Sequence, residues 1–290
     1  MTSSKWILII TGSFTIVLAA FIFFHIERAD NLMHRSIKIE PVLMEINNDS
    51  TALRIGKKWV TSICAECHGT DLGGHTVVED PIIGRLYAPN LTRGKGGIGF
   101  LNNEKWLAAL RHGVSATGRP LVLMPSVEYT KMRKEDVGGI ITYLNTLPPV
   151  DRINQESAFK PMAKFLLSLG VFGNLFSADL IDHQAPIPEN RKNETLAERG
   201  AYLTEIIGCQ GCHGSTFTGK YTGDPLSPKA PNITPAGNFS NWDYEDFIKL
   251  MNTGRARDGK AVNNRFMPWE AYSRLPENEL KAIYTYLKSL

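Results

Sequence analysis

The sequence predicts an all-α protein: an N-terminal apolar helix over residues 1–30, then two helical domains in tandem over 48–147 and 194–290, joined by a linker over 148–193. Three observations carry this reading. Residues 6–24 run without a charge, the two halves repeat one another, and apolar residues recur at helical spacing at the start and end of each half. No run alternates with a strand's period of two for long enough to build a sheet.

The apolar run is long enough to cross a bilayer as a helix, so it reads as a membrane span or a signal peptide. It exceeds the usual signal-peptide core. Cleavage after Val17-Leu18-Ala19, the one tolerable small-residue site, would leave Phe21, Ile22, Phe23 and Phe24 dangling. The expectation is an uncleaved anchor. Arg28, Arg35 and Lys38 follow the run while only Lys5 and the amino terminus precede it, which taken literally would keep the following domains inside. Long translocated domains override that bias.

The repeat holds an offset between 141 and 145 residues, and such self-similarity decides the architecture before any local signal does. Ile63-Cys64-Ala65-Glu66-Cys67-His68-Gly69 matches Gly208-Cys209-Gln210-Gly211-Cys212-His213-Gly214, and Ala88-Pro89-Asn90-Leu91-Thr92 matches Ala230-Pro231-Asn232-Ile233-Thr234. Trp106 aligns with Phe247, Gly113 with Gly254, and Leu123-Met124-Pro125 with Phe266-Met267-Pro268. Leu53, Gly56, Trp59 and Val60 form a helical stripe before the first cysteine motif, and Leu196, Gly200, Leu203 and Ile207 do so before the second. Val137, Ile140, Ile141 and Leu144, and then Leu280, Ile283, Tyr284 and Leu287, mark the last helix of each half. Pro276 suits the first turn of the final one.

With 290 residues, 43% hydrophobic and 21% charged, the chain has the composition of a folded protein of about two domains. Its net charge of +3 gives nucleic-acid binding no support. All four cysteines fall into two C-x-x-C-H motifs, Cys64, Cys67, His68 and Cys209, Cys212, His213. This pattern reads as c-type haem attachment: each thiol forms a thioether to a haem vinyl group, and the adjacent histidine reaches the iron. Two haems c, covalently attached, are therefore expected. A closed zinc site wants four ligands, and the second domain has no histidine besides His213. A redox dithiol wants an alternating strand and helix context, and the surroundings here are helical.

The repeat register names a second iron ligand in each half. Met124 lies 56 residues past His68 and Met267 lies 54 past His213, each followed by proline. A soft thioether opposite histidine suits a low-spin iron and raises its potential relative to two histidines. The metal ligands expected are thus His68 with Met124 and His213 with Met267. Met251, the rival in the second half, sits inside a helix opposite Leu110 in the repeat. The rivals in the first half are His75, His112 and Met132, whose counterparts cannot ligate. His112 is read as a surface residue at a helix end and His75 as a loop residue.

With these motifs in place the chain resembles class I cytochromes c, in which a first helix leads into C-x-x-C-H, a last helix crosses it and a loop supplies methionine. The implied fold is two tandem class I cytochrome c domains after an N-terminal transmembrane helix. More closely it is similar to the dihaem and multihaem cytochrome c subunits of membrane-bound bacterial dehydrogenases, through Gly84-Arg85-Leu86-Tyr87-Ala88-Pro89-Asn90-Leu91-Thr92, Ala109-Leu110-Arg111-His112-Gly113, Gly118-Arg119-Pro120-Leu121, Met124-Pro125-Ser126 and Leu147-Pro148-Pro149-Val150-Asp151. Those subunits usually carry three haems; this chain has two motifs. The resemblance implies that the carbonyls of Pro89 and Pro231 accept the second ring N–H of His68 and His213. It also implies that Asn90, Thr92, Asn232 and Thr234 hydrogen-bond propionates, against the plainer reading of a Pro-Asn turn.

The expected function is electron transfer without catalysis at the iron, since a six-coordinate iron leaves no position for a substrate. A dihaem peroxidase or thiosulfate-oxidising enzyme is the alternative, and it would need an open or labile site. Electrons would pass from a membrane-associated donor, a dehydrogenase or quinol-oxidising complex, to a cytochrome or oxidase. The site would lie on the periplasmic side of the inner membrane, where haem c is attached. In the linker, residues 162–176 are apolar but too short and glycine-bearing to span a bilayer; a helix packed between the two domains is expected there. Asp182 and His183 read as a solvated loop unless a partner is found.

Overall fold

A computed structural model describes residues 3–41, 44–222 and 227–290. Helix α1 (Ser3–His34) is 32 residues long, about 48 Å at 1.5 Å per residue and so longer than a hydrocarbon core of about 30 Å. Its most apolar stretch has a mean hydropathy of 2.6 and none of it is buried against protein. The helix is long and apolar enough to cross a membrane, and its far end emerges to pack on the rest of the chain.

The first half opens with α2 (Ser50–Trp59), capped by the Asp49 carboxylate on the Ala52 N–H. A π-turn over Val60–Cys64 carries it without interruption into α3 (Ala65–His68). An antiparallel hairpin of β1 (His75–Asp80) and β2 (Gly84–Ala88) follows. Then come α4 (Asn103–His112), the short α5 (Ser126–Tyr129) and α6 (Lys134–Leu144). In the linker, β3 (Ala158–Phe159) adds to β2, pairing Gly84 with Phe159, and α7 (Pro161–Ser168) comes next. The second half is α8 (Leu196–Ile206), α9 (Cys209–His213), α10 (Tyr244–Thr253), α11 (Trp269–Tyr272) and α12 (Glu277–Lys288).

Two expectations change. The small three-stranded sheet was not anticipated; its strands are short and half exposed, and Glu79, Asp80 and Arg85 interrupt the apolar alternation that would have signalled them. His75 accordingly starts a strand. Helix α7 does not lie between the two halves but packs on α1: Phe165 meets Phe21 and His25, and Lys164 pairs with Asp30 at 2.7 Å. Ala29, Leu167 and Phe176 form their own small core there.

In each half the first and last helices cross with backbones almost touching. A Cβ on Gly56 would lie 1.8 Å from the Gly139 carbonyl oxygen, and one on Gly200 would lie 2.0 Å from that of Ala282. Trp59, Val60, Val137, Ile140 and Ile141 fill the first crossing, with Leu203, Ile206, Leu280 and Ile283 at the second, and all are nearly inaccessible to water. One apolar core runs through both halves. At their junction the buried Asp136 carboxylate accepts from Trp59 Nε1 of the first half and from Tyr202 Oη of the second.

Gly56→Ala and Gly200→Ala should each cost about 1–3 kcal/mol by overpacking. Gly138→Ala, whose Cβ would find only the Met44 methyl at 3.8 Å, should be neutral or gain up to about 1 kcal/mol from helix propensity. Urea titration of the three variants measures this, and equal behaviour would contradict the close crossing.

Candidate haem-attachment sites

Each cysteine motif ends in a helical turn closed by a left-handed-region glycine, Gly69 at φ 82° and Gly214 at φ 83°. The halves reach this turn differently. In the first the helix runs through by a π-turn, which seats Cys64 inside the core; in the second Gly208, at φ 77°, breaks the helix before Cys209. Burial, reinforced by the partner cysteine, pushes the Cys64 and Cys209 thiols up to about 12.

The histidines share one geometry. His68 Nδ1 lies 2.8 Å from the Pro89 carbonyl oxygen and His213 Nδ1 lies 2.9 Å from that of Pro231. A carbonyl only accepts, so Nδ1 carries the proton and Nε2 is left as a bare lone pair, the form that binds a metal. Burial lowers both imidazoles below their ordinary pKa, the proline bond partly opposing it.

Asn90 and Thr92 do not fit the propionate role. Asn90 is fully buried; its Oδ1 accepts from the Thr92 N–H and hydroxyl, and its Nδ2 donates to the carbonyls of Val150 and Arg152. The pair closes a turn and pins the start of the linker. Asn232 and Thr234 repeat that turn. A donor the sequence reading missed is Trp106 on α4, 3% exposed, whose Nε1 has no hydrogen-bond partner among the described residues. A buried indole N–H is rarely left unmet, and it belongs to the same core cluster as Cys64 and Met124. This orphaned donor and the bare Nε2 atoms fit a flat group that carries a metal and a carboxylate. The available signal was the replacement of Phe247 by a donor-bearing aromatic in the repeat.

Met124 and Met267 are half-buried against the common core, each two residues before a short helix. Five residues on come Tyr129, buried, and Tyr272, half-buried, and loss of hydration first and the neighbouring cysteines of the same half second hold both phenols well above 10. The methionine loops therefore end beside the cysteine motifs. They are held differently. In the second half Met267 N–H and Phe266 N–H both donate to Asn263 O, at 3.1 and 3.0 Å. In the first, Leu123 takes φ 60°, a left-handed conformation costing about 1–2 kcal/mol. It is secured from the linker: Leu123 N–H donates to Leu175 O at 3.1 Å, and Ser177 Oγ donates to the Met124 carbonyl.

The structure places the rivals as follows. Met132 and Met251 are buried in the core. His112 does end α4 but is 3% exposed, not on the surface, because its Nδ1 lies 3.0 Å from His183 Nδ1. His183 Nε2 donates to Ala178 O, so its Nδ1 accepts and His112 donates. The two motifs face a shared interface: Arg274 bonds Glu66 at 2.8 Å and the Ser62 carbonyl, Asn264 donates to Glu66 at 2.9 Å, and Glu128 lies against Gly208.

Comparison with known proteins agrees with this geometry. Residues 197–290 match the cytochrome c family, and residues 51–144 match the family described as cytochrome c oxidase, cbb3-type, subunit III. Each half of the chain therefore carries a domain of a cytochrome c family. It is 29% identical over 254 residues to the fructose dehydrogenase cytochrome subunit of Gluconobacter japonicus, covering 80% of this chain and 51% of that protein. It is 27% identical over 256 residues to a diheme cytochrome c-type protein of Cereibacter sphaeroides, 78% of this chain and 81% of that one. It is 32% identical over 136 residues to the gluconate 2-dehydrogenase cytochrome c subunit of Pantoea cypripedii, 43% and 28% respectively. The chain spans about half the length of the fructose dehydrogenase subunit.

Burial first, and the neighbouring His183 and Arg111 after it, lowers His112 to about 4. A folded-state value below the unfolded one of about 6.5 means this contribution to stability is complete above pH 6.5 and is lost as pH falls toward 4. His112→Asn should therefore melt well below the parent at pH 7 and approach it near pH 4. Melting curves across that range check the convergence.

Proposed function

We propose that this chain is a membrane-anchored dihaem electron relay. One haem c would be held by Cys64 and Cys67, with His68 and Met124 as iron ligands, in a domain over 48–147. The other would be held by Cys209 and Cys212, with His213 and Met267, in a domain over 194–290. The observation that carries the reading is the duplicated histidine geometry, in which both Nε2 lone pairs are freed by a proline carbonyl acceptor. Bound haem supplies a one-electron iron couple, and two axial side chains leave no iron position for a substrate. The protein holds each imidazole in one tautomer, which makes it a stronger ligand, and excludes water around the site with the core that surrounds Trp59 and Phe247. The unpartnered Trp106 N–H would be available to a carboxylate of the first haem. Because both motifs border one interface, an electron entering one half reaches the other without leaving the chain.

Helix α1 anchors the chain in the inner membrane, with both domains on the periplasmic side where haem c is attached. The dehydrogenase subunits among its relatives favour a membrane-bound dehydrogenase as donor, with a soluble cytochrome or terminal oxidase as acceptor. The catalysis belongs to those partners.

The test is a pyridine haemochrome assay with near-infrared spectra of the oxidised protein. Two covalent haems per chain are expected, with a methionine-to-iron charge-transfer band that Met124→Ala and Met267→Ala each reduce by half without releasing haem. A different haem count, or loss of the whole band in either single variant, would overturn the assignment.

A further inference from the structure

Helix α7 runs back along α1 toward the membrane. Lys164 pairs with Asp30, Ser168 Oγ lies 2.8 Å from His25 Nδ1, and the Phe165 ring sits 6.1 Å from that of Phe21. Past Ser168 the chain turns through Gly170 and Gly173, both in the left-handed region, and returns until Phe176 packs on Ala29 beneath Arg35. The result is a finger whose tip carries Leu169 and Val171 at 46% and 45% exposure. Residues 165–178 hold no charge.

We propose that this finger is a second membrane contact, its tip immersed in the bilayer beside α1; this rests on the reading of α1 as a membrane span. Two observations place lipid there. Phe165, one helical turn before the tip, packs on Phe21, and Phe21 is part of the uncharged run whose other large residues, Phe14, Val17 and Leu18 among them, face outward. And His25, 8% exposed directly after that run, is covered by Ser168 and Phe165. A polar side chain set within a bilayer pairs with protein rather than with lipid tails, and the finger gives His25 that partner. Short apolar elements with charges only at their upper rim are the pattern of an interfacial insertion, and here Lys164 and Asp30 form that rim.

The test reconstitutes the full haem-loaded chain in phosphatidylcholine vesicles that carry a diazirine on one acyl chain, photolyses them, and maps lipid adducts by mass spectrometry. Adducts are expected on α1 and on the peptide containing Leu169 and Val171, but not at Phe100 or Ile153, which are apolar and exposed elsewhere. The double variant Leu169→Glu, Val171→Glu should lose the finger adducts and keep those on α1. Adducts on α1 alone in the wild-type chain would overturn the finger and mark that surface as one covered by protein or water. Adducts on neither would overturn the anchor reading itself. The wild-type pattern decides the matter even where the double variant loses haem.

Discussion

Everything about the relation of the two halves depends on one buried carboxylate. Asp136, 1% exposed, puts its carboxyl group where an unsatisfied polar atom would be expensive. It is kept there by the indole of Trp59 and the phenol of Tyr202, one from each half. The Tyr202 oxygen in turn accepts from the Arg133 N–H, and the Arg133 guanidinium lies over its ring while pairing with Glu194. Glu279, also buried, extends the same junction through Arg199 and Lys58. Removing either donor would leave a buried carboxyl oxygen of Asp136 without its partner, so the halves are fixed as one unit rather than as beads on a linker. The facing of the two cysteine motifs is a result of that fixed junction.

Within this frame the halves are copies that have diverged where they meet the rest of the chain. The helix into the first motif continues through a π-turn; the helix into the second stops at Gly208. The first half carries a hairpin that the linker strand β3 extends. Only it has an indole donor at the position of Trp106, where the second has Phe247. Such differences in burial and hydrogen bonding are the means by which one fold gives two irons different potentials.

The cysteine motifs, the repeat and the crossing helices were legible in the sequence because each depends on local chemistry. Covalent attachment demands two thiols and a histidine at fixed spacing, and a helix crossing demands an apolar stripe with a glycine. The hidden features depend on distant partners. His112 looked like a surface residue because His183, which buries it, lies 71 positions away. The hairpin was hidden because half-exposed strands need no apolar alternation. Residues 162–176 were recognised as apolar, but composition alone does not say which apolar surface they choose, and α1 rather than the domain junction received them. Asn90 misled because the same amide that could face a propionate is fully occupied in closing its own turn.

The clasp of Ser177 on the Met124 carbonyl has a consequence for the order of assembly. It joins residues 53 apart in sequence, whereas the loop of Met267 closes on Asn263, four residues away. Closing the longer loop loses more chain entropy and waits on more of the chain. As the polypeptide is made from its amino terminus, the first domain has its cysteines and histidine early yet lacks the hold on its methionine until the linker has emerged. The domain synthesised first is therefore completed by residues downstream of it, while the second finishes with its own.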